Sequence, residues 1–277
     1  NEGKKNETSA EQQAIAEAKS KWKKKLDSGF YQNIEDVSKP KFTEVMLAKK
    51  YEDYEDKIKF PVYSQCKLDG IRCAISRHGM FTRNGKEIVS CPHILFSLAD
   101  VFKAFPDLVL DGELYNHELK DNFNKICSLV KKTKPTKEDI EESEKIVQYW
   151  VYDAAVPNLV FFARMVMIET VFNKHKNQYI VTVPTYECKS KKELNVLYAE
   201  FLEKGYEGQM IRLNDEYQNK RTSSLLKRKE WIDDEFEILG VVEGVGKRAG
   251  MAGSFVLKAK NGKTFHSNIK NGDAFYT

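Results

Sequence analysis

Apolar positions along this chain follow two rhythms, one of three to four residues and one of two, and the changes between them mark its organisation. Over residues 8–26, Ala14, Ala18, Trp22 and Leu26 recur at i, i+4, Thr8 and Glu11 stand at capping-box spacing, and Gly29 follows, which predicts a helix. A second helical signal over residues 44–54 runs into the strand-like stretch Phe60-Pro61-Val62-Tyr63-Ser64-Gln65. From there to about Trp231 short apolar strands mix with helices: Val109-Leu110 before Asp111 and residues 146–152 read as strands, and residues 191–204 as a helix stopped by Gly205. Residues 131–145 are charged and contain Pro135, the signature of a surface excursion. The pattern is α+β, without the regular strand-helix alternation of a doubly wound sheet. Beyond it, residues 236–242 and 254–259 read as strands separated by glycine turns, and Asn261-Gly262 is a hairpin signal, so a small β-barrel is expected to begin there. The sequence carries no internal repeat.

Composition narrows this picture without identifying a partner. With 277 residues, 41% of them hydrophobic, the chain can bury one large core and a smaller one. Its 45 basic and 41 acidic residues leave a net charge of +4, so a nucleic-acid surface requires segregated charge. Lys19, Lys21, Lys23, Lys24 and Lys25 on the first predicted helix suit either a phosphate backbone or plain water. The five cysteines are odd in number and form no Cys-x-x-Cys pair, which indicates neither a disulfide framework nor a structural zinc site and fits a reducing, intracellular setting best. His78, His93, His117, His175 and His266 show neither zinc spacing nor a triad partner. No apolar run approaches the roughly 20 residues that span a bilayer, and no signal peptide is present, so a soluble protein without a membrane partner is expected. The chain starts at Asn1 without Met and ends at Ala274-Phe275-Tyr276-Thr277 in a β-rich stretch, and so reads as a fragment.

The chemistry concentrates in Lys67-Leu68-Asp69-Gly70-Ile71-Arg72, an amine, a carboxylate and a guanidinium directly after a predicted strand. It is followed in order by Arg83 in Thr82-Arg83-Asn84-Gly85, Asp111-Gly112-Glu113-Leu114-Tyr115, Tyr152-Asp153, Glu207-Gly208-Gln209-Met210-Ile211-Arg212 and Leu226-Lys227-Arg228-Lys229. This ordered set resembles the motifs of the covalent nucleotidyltransferases: ATP-dependent DNA ligases, RNA ligases and messenger-RNA capping guanylyltransferases. The resemblance spans about residues 41–272. Met46-Leu47-Ala48 and the stretch from Phe60 to Lys67 are similar to bacteriophage DNA ligases in particular.

The resemblance implies a nucleotidyltransferase (ATP-grasp-like adenylation) domain with mixed and antiparallel sheets over residues 41–232. A basic helical extension, 1–40, precedes it, and the start of an incomplete OB-fold, 233–277, follows. It also implies an ATP-dependent DNA ligase that seals nicks through lysyl-AMP and DNA-adenylate, with ATP as AMP donor, Mg2+ or Mn2+ as metal, nicked double-stranded DNA as partner and a monomeric state. The cell interior, bacterial or that of a phage-infected host, is the expected location.

Lys67 is the nucleophile by this resemblance. A free lysine near pKa 10.4 is neutral in only roughly one copy in 2,500 at pH 7, so attack on the α-phosphorus of ATP needs a nearby metal, burial, or positive charge from Arg72, Lys227 and Lys229 to disfavour the ammonium. Phosphoryl transfer otherwise asks for alignment and charge neutralisation. Motif match makes Glu207 the metal carboxylate and Glu113 a ribose ligand that also reaches metal, while Asp69 fixes either the metal or the Gly70 turn. Lys227 and Lys229 alternate, which on a strand turns both to one face, toward phosphates or toward solvent at an edge. Tyr152 matches the stacking aromatic, Gln65 the reader of the adenine amino group, Arg72 an adenylate contact and Arg83 a contact to the 5′-phosphate of the nick. Cys66 reads as a small buried apolar side chain.

Relatives of other specificity fit less well. A capping guanylyltransferase carries an aromatic and a proline around its paired lysines, where this chain has Arg228 and Glu230, and RNA ligases depart from Arg at the position of Arg72. An NAD-dependent ligase would need zinc-spaced cysteines. A catalytically dead binding module need not keep Lys67, Glu113, Glu207, Lys227 and Lys229 together. The resemblance further implies an Arg/Lys-rich motif at the end of the barrel domain, which the sequence stops short of.

Overall fold

The computed structural model describes residues 8–27, 30, 32–34, 43–175, 177–230, 234–245 and 249–268. Gly29, Trp231, Gly272 and the β-rich end at 274–277 lie outside the described residues, as do parts of the expected extension 1–40. The chain divides into two compact units, Asn1–Glu230 and Trp231–Thr277.

The strands of the first unit are β1 (Leu47–Lys50), β2 (Val62–Lys67), β3 (Ile71–Ser76), β4 (Gly79–Thr82), β5 (Leu110–Tyr115), β6 (Gln148–Ala154), β7 (Ile180–Thr182), β8 (Tyr186–Cys188), β9 (Gly208–Arg212) and β10 (Arg221–Lys229). Its helices are α1 (Ala10–Asp27), α2 (Pro92–Ser97), α3 (Ala99–Ala104), α4 (Phe123–Val130), α5 (Lys137–Ile146), α6 (Phe161–Lys174) and α7 (Lys191–Glu203). The strands form two five-stranded mixed sheets, ordered β1-β10-β9-β2-β8 and β4-β3-β5-β6-β7. The pairs β1–β10 and β6–β7 are parallel and the others antiparallel, so the α+β expectation with mixed sheets is met. The largest core gathers Ile75, Leu110, Leu114, Tyr149 and Val151 of the second sheet against Phe161, Met165 and Ile168 of α6, all at most 4% exposed.

Three local expectations are corrected. Residues 44–54 are not helical: Leu47–Lys50 pairs in parallel with β10, Leu47 opposite Arg221 and Lys50 opposite Lys227, and Glu55–Lys57 then makes a 3-10 turn. A ladder to a distant strand, with Met46 and Tyr51 buried at either end, outweighs the weak local helical signal. Residues 131–145 are no excursion, since Thr136 and Asp139 make a reciprocal capping box that starts α5, and buried Ser143 donates from Oγ to the Ser90 carbonyl at 2.6 Å. The cap of α1 is Ser9 with Gln12 rather than Thr8 with Glu11: Gln12 N donates to Ser9 Oγ at 3.1 Å and Ser9 N to Gln12 Oε1 at 3.0 Å. The five lysines of α1 are all exposed, and so is Trp22 of its apolar stripe, at 55%.

In the second unit β11 (Glu237–Glu243), β12 (Ala252–Lys258) and β13 (Thr264–Ser267) form an antiparallel three-stranded sheet. Asn261-Gly262 turns the chain between the last two strands, Gly262 with φ of +79°.

Candidate active site

Strand register assembles the site. Lys67, at the end of β2, lies opposite Gly208 of β9, which lies opposite Lys229 of β10, so Glu207 is delivered between two lysines from neighbouring strands. Lys67 Nζ and Glu207 Oε2 form a close ion pair, and Lys229 Nζ stands 3.5 Å from Glu207 Oε1. Gly208 allows this approach, because a Cβ there would fall 2.2 Å from the Arg228 carbonyl oxygen. Gly70 does the same for the turn after Lys67, where a Cβ would meet the Leu114 carbonyl oxygen at 2.5 Å and Glu113 Cγ at 2.7 Å.

Across the turn, Arg72 of β3 faces Glu113 of β5 in register. Its guanidinium makes a two-pronged bond to the buried Asp111, Nε to Oδ1 at 2.9 Å and Nη2 to Oδ2 at 2.6 Å. Tyr217 donates its hydroxyl to Asp111 Oδ2 at 2.7 Å and accepts from Met46 N at 3.0 Å. Glu113 lacks such a partner. Burial raises its carboxyl to about 8 against the nearby charges of Arg72 and Lys67, and the Tyr152 hydroxyl donates to Oε2 at 3.3 Å.

One cavity collects these groups from both sheets. Its cationic wall is Lys67, Arg72, Arg83, Arg212, Arg221 and Lys227, with Glu113 the acid among the lining residues. Leu47, Ala48, Met210, Leu225 and the Tyr152 ring supply apolar surface, and Gln65 a polar edge. Burial lowers the pKa of Lys227, and so do the charges of Lys67, Lys229 and Arg221. Such a field attracts phosphate, and the apolar side chains and aromatic ring of the lining suit a flat base.

The expected site residues Gln65, Lys67, Arg72, Arg83, Glu113, Tyr152 and Lys227 therefore share one cavity. Glu207 and Lys229 join it through Lys67. Asp69 is exposed in the turn and does not line the cavity; burial and then the Glu207 charge raise its pKa. Gln65 is only 1% exposed, and its amide oxygen, expected to read a base, accepts Arg212 Nε at 2.7 Å. Cys66 is buried as expected, its thiol pushed up to about 12 by that burial.

Sequence reasoning gave no role to Arg212 or Arg221. Arg221 shares the parity of Lys227 on β10, a signal that was available. Arg212 belongs to a buried cluster: Arg164 Nε donates to Asp153 Oδ1 at 2.7 Å, and Arg164 Nη2 and Arg212 Nη1 both reach Oδ2, at 3.2 and 2.5 Å. Among the described residues, no group of three His, Cys, Asp or Glu side chains could hold a metal ion, and no helix is long and apolar enough to cross a membrane.

A lysine set beside a carboxylate at a cation-lined cavity with an aromatic wall defines a nucleotide-transferring enzyme. The family model of the ATP dependent DNA ligase domain matches residues 45–229, and the chain belongs to that family. A DNA ligase of Haemophilus influenzae is 27% identical over 198 residues, covering 71% of this chain and 68% of its own length. The DNA ligase of Enterobacteria phage T4, in line with the phage resemblance, is 24% identical over 268 residues, covering 79% of this chain and 54% of its own. This chain thus spans about half the length of that phage relative. The fold is that of a solved Lig E DNA ligase, with a TM-score of 0.68 at 24% identity over 82% of this chain and 84% of the other.

Proposed function

We propose that the chain seals nicks in duplex DNA: Lys67 takes AMP from ATP, passes it to the 5′-phosphate, and the 3′-hydroxyl then displaces AMP. The observation that carries this is the Lys67 amine, paired with Glu207 and opening on a cavity lined by cations, by the Tyr152 ring and by apolar side chains. In the first step the lysine nitrogen, having given its proton to Glu207 or water, attacks the α-phosphorus. A phosphoramidate forms and pyrophosphate leaves. Arg72, clamped by Asp111, and Lys227 neutralise the phosphates, while Tyr152 stacks on the base and Gln65 meets its edge. The exposed Arg83, with Arg221, receives the 5′-phosphate of the nick.

Mg2+ or Mn2+ fits the donor set: Glu113 is a half-buried cavity carboxyl without a cationic partner in bonding distance, and Glu207 already holds an ammonium. These two would hold the metal with substrate phosphates, and the metal supplies charge neutralisation at the transferring phosphoryl group. We assign residues 41–232 to the adenylation domain, 1–40 to a basic extension along the duplex and 233–277 to the start of an OB-fold barrel. The protein acts as a monomer in a reducing cell interior, where its five free cysteines stay reduced.

The test is incubation with Mg2+ and α-labelled ATP, denaturation, and mapping of the label. A covalent adduct on Lys67 is expected, and Lys67→Arg abolishes it because guanidinium stays protonated. Label retained in that variant removes Lys67 as the nucleophile.

A further inference from the structure

The Tyr217 hydroxyl joins the first sheet to the second at the carboxylate that holds Arg72. Tyr217 stands in the irregular stretch between β9 and β10 of the first sheet and is 8% exposed. Its oxygen accepts from Met46 N at 3.0 Å, at the entry to β1, and donates to Asp111 Oδ2 at 2.7 Å, on β5 of the second sheet. A phenol has one hydrogen to give, and the backbone N–H and the carboxylate leave it one direction. The ring is held without the hydroxyl: the Arg164 guanidinium lies 5.5 Å from its centroid, and Met46 and Leu225 pack with it.

Asp111 is fully buried, and Arg72 grips it side-on, Nε to Oδ1 at 2.9 Å and Nη2 to Oδ2 at 2.6 Å. That leaves Nη1 and the second hydrogen of Nη2 for the cavity that Arg72 lines. A guanidinium can also grip a carboxylate end-on, through both Nη atoms, which would spend Nη1 on Asp111 in place of Nε. Rotation of the carboxylate interchanges the two grips. Among the described residues, Tyr217 is the one other side chain bonded to the Asp111 carboxylate, and it pins Oδ2. The guanidinium of Arg72 also lies 5.8 Å from the centroid of the Tyr152 ring, so the same grip places a cation beside the aromatic wall. We propose that Tyr217 is a positioning residue for nucleotide transfer: its hydroxyl locks the Asp111 carboxylate and so holds Arg72 in the side-on grip that keeps Nη1 for the substrate. A loose Arg72 still lends its charge to bound ATP but no longer meets the transferring phosphate in line, so the loss falls on turnover more than on binding.

The proposal rests on the ATP-charging reading, and the test separates the two. Single-turnover labelling of Lys67 is followed against the concentration of α-labelled ATP, and the urea midpoint of each variant is measured beside it. In Tyr217→Phe, which keeps the ring, the charging rate at saturating ATP falls roughly tenfold or more, while the half-saturating concentration moves less than about threefold. Its midpoint falls as well, since Met46 N and Asp111 each lose a partner. Ser224→Ala removes another bond of the same irregular stretch, Oγ to Asp215 Oδ2 at 2.6 Å, without touching Asp111. Its midpoint also falls, yet its maximal charging rate is that of the wild type. In Arg72→Lys, which keeps a cation for Asp111 but has no fork to orient, adding Tyr217→Phe lowers the midpoint as before and slows charging less than about twofold further. A wild-type maximal rate in Tyr217→Phe, equal slowing in Ser224→Ala, or an undiminished second loss in the Arg72→Lys background overturns the proposal and leaves Tyr217 a structural clasp. A wild-type protein that takes no label on Lys67 refutes the charging reading itself.

Discussion

The floor and the rim of the cavity are both built from ion pairs, yet they are built to opposite ends. On the floor Asp153, Arg164 and Arg212 are at most 2% exposed, and each charge has fixed partners at hydrogen-bond distance. At the rim the side chains of Lys67, Glu207 and Lys229 are 20%, 26% and 33% exposed, and one carboxylate serves two ammonium groups. A buried charge that loses its partner has no water to turn to, so floor pairs are permanent. A half-exposed pair is cheap to break, so phosphate oxygens can replace Glu207 at the lysines as substrate enters. On the proposed function, the floor would hold the part of the nucleotide that stays still through the reaction, and the rim would handle the part that moves.

The strongest way to break this comparison is Asp153→Ala, which strands Arg164 and Arg212. A loss of about 3–5 kcal/mol is expected, read as a lower urea midpoint at unchanged slope; a wild-type midpoint would mean that the floor is not held by its charges. Next comes the wall between floor and rim. Tyr152→Ala should weaken ATP use by about 1–3 kcal/mol, measured as the charging rate against ATP concentration, because the ring face makes the contact. Tyr152→Phe should cost little, since the lost hydroxyl bond to Glu113 is a long one at 3.3 Å. Equal losses would mark a hydrogen-bonded core tyrosine instead. The smallest effect on stability is expected at the rim: Lys229→Ala should change unfolding free energy by about 0–1 kcal/mol while slowing the charging of Lys67. A large stability loss there would erase the distinction between the regions.

The rim was the part most legible in the sequence. Lys67, Glu113, Glu207, Lys227 and Lys229 are residue types that the chemistry itself demands, and their spacing survives translation into strands. The floor was not legible, because its members come from β6, α6 and β9 and meet only in three dimensions. One clue was present: Arg164 sits inside the apolar run Phe161-Phe162-Ala163-Arg164-Met165-Val166-Met167-Ile168, and a lone charge in such a run needs a buried partner. The helix expected over 44–54 failed for a related reason, since the ladder that makes Leu47–Lys50 a strand is supplied by residues 221–227. Tyr217, in an irregular stretch between β9 and β10, bears no motif at all.

The parallel pairing of β1 with β10 bears on how the protein is made. The first strand of the unit finds its neighbour only in the last, Leu47 against Arg221, so a growing chain carries β1 unpaired through almost the whole synthesis of the unit. Domains begin to fold as they leave the ribosome, and local elements such as α4 and α5 can form early, but contacts this far apart in sequence form late. Leu47 and Ala48 on one strand and Leu225 and Lys227 on the other line the same cavity. The cavity is therefore the last feature the unit completes during translation, and a nascent chain that ends before β10 lacks one of its walls.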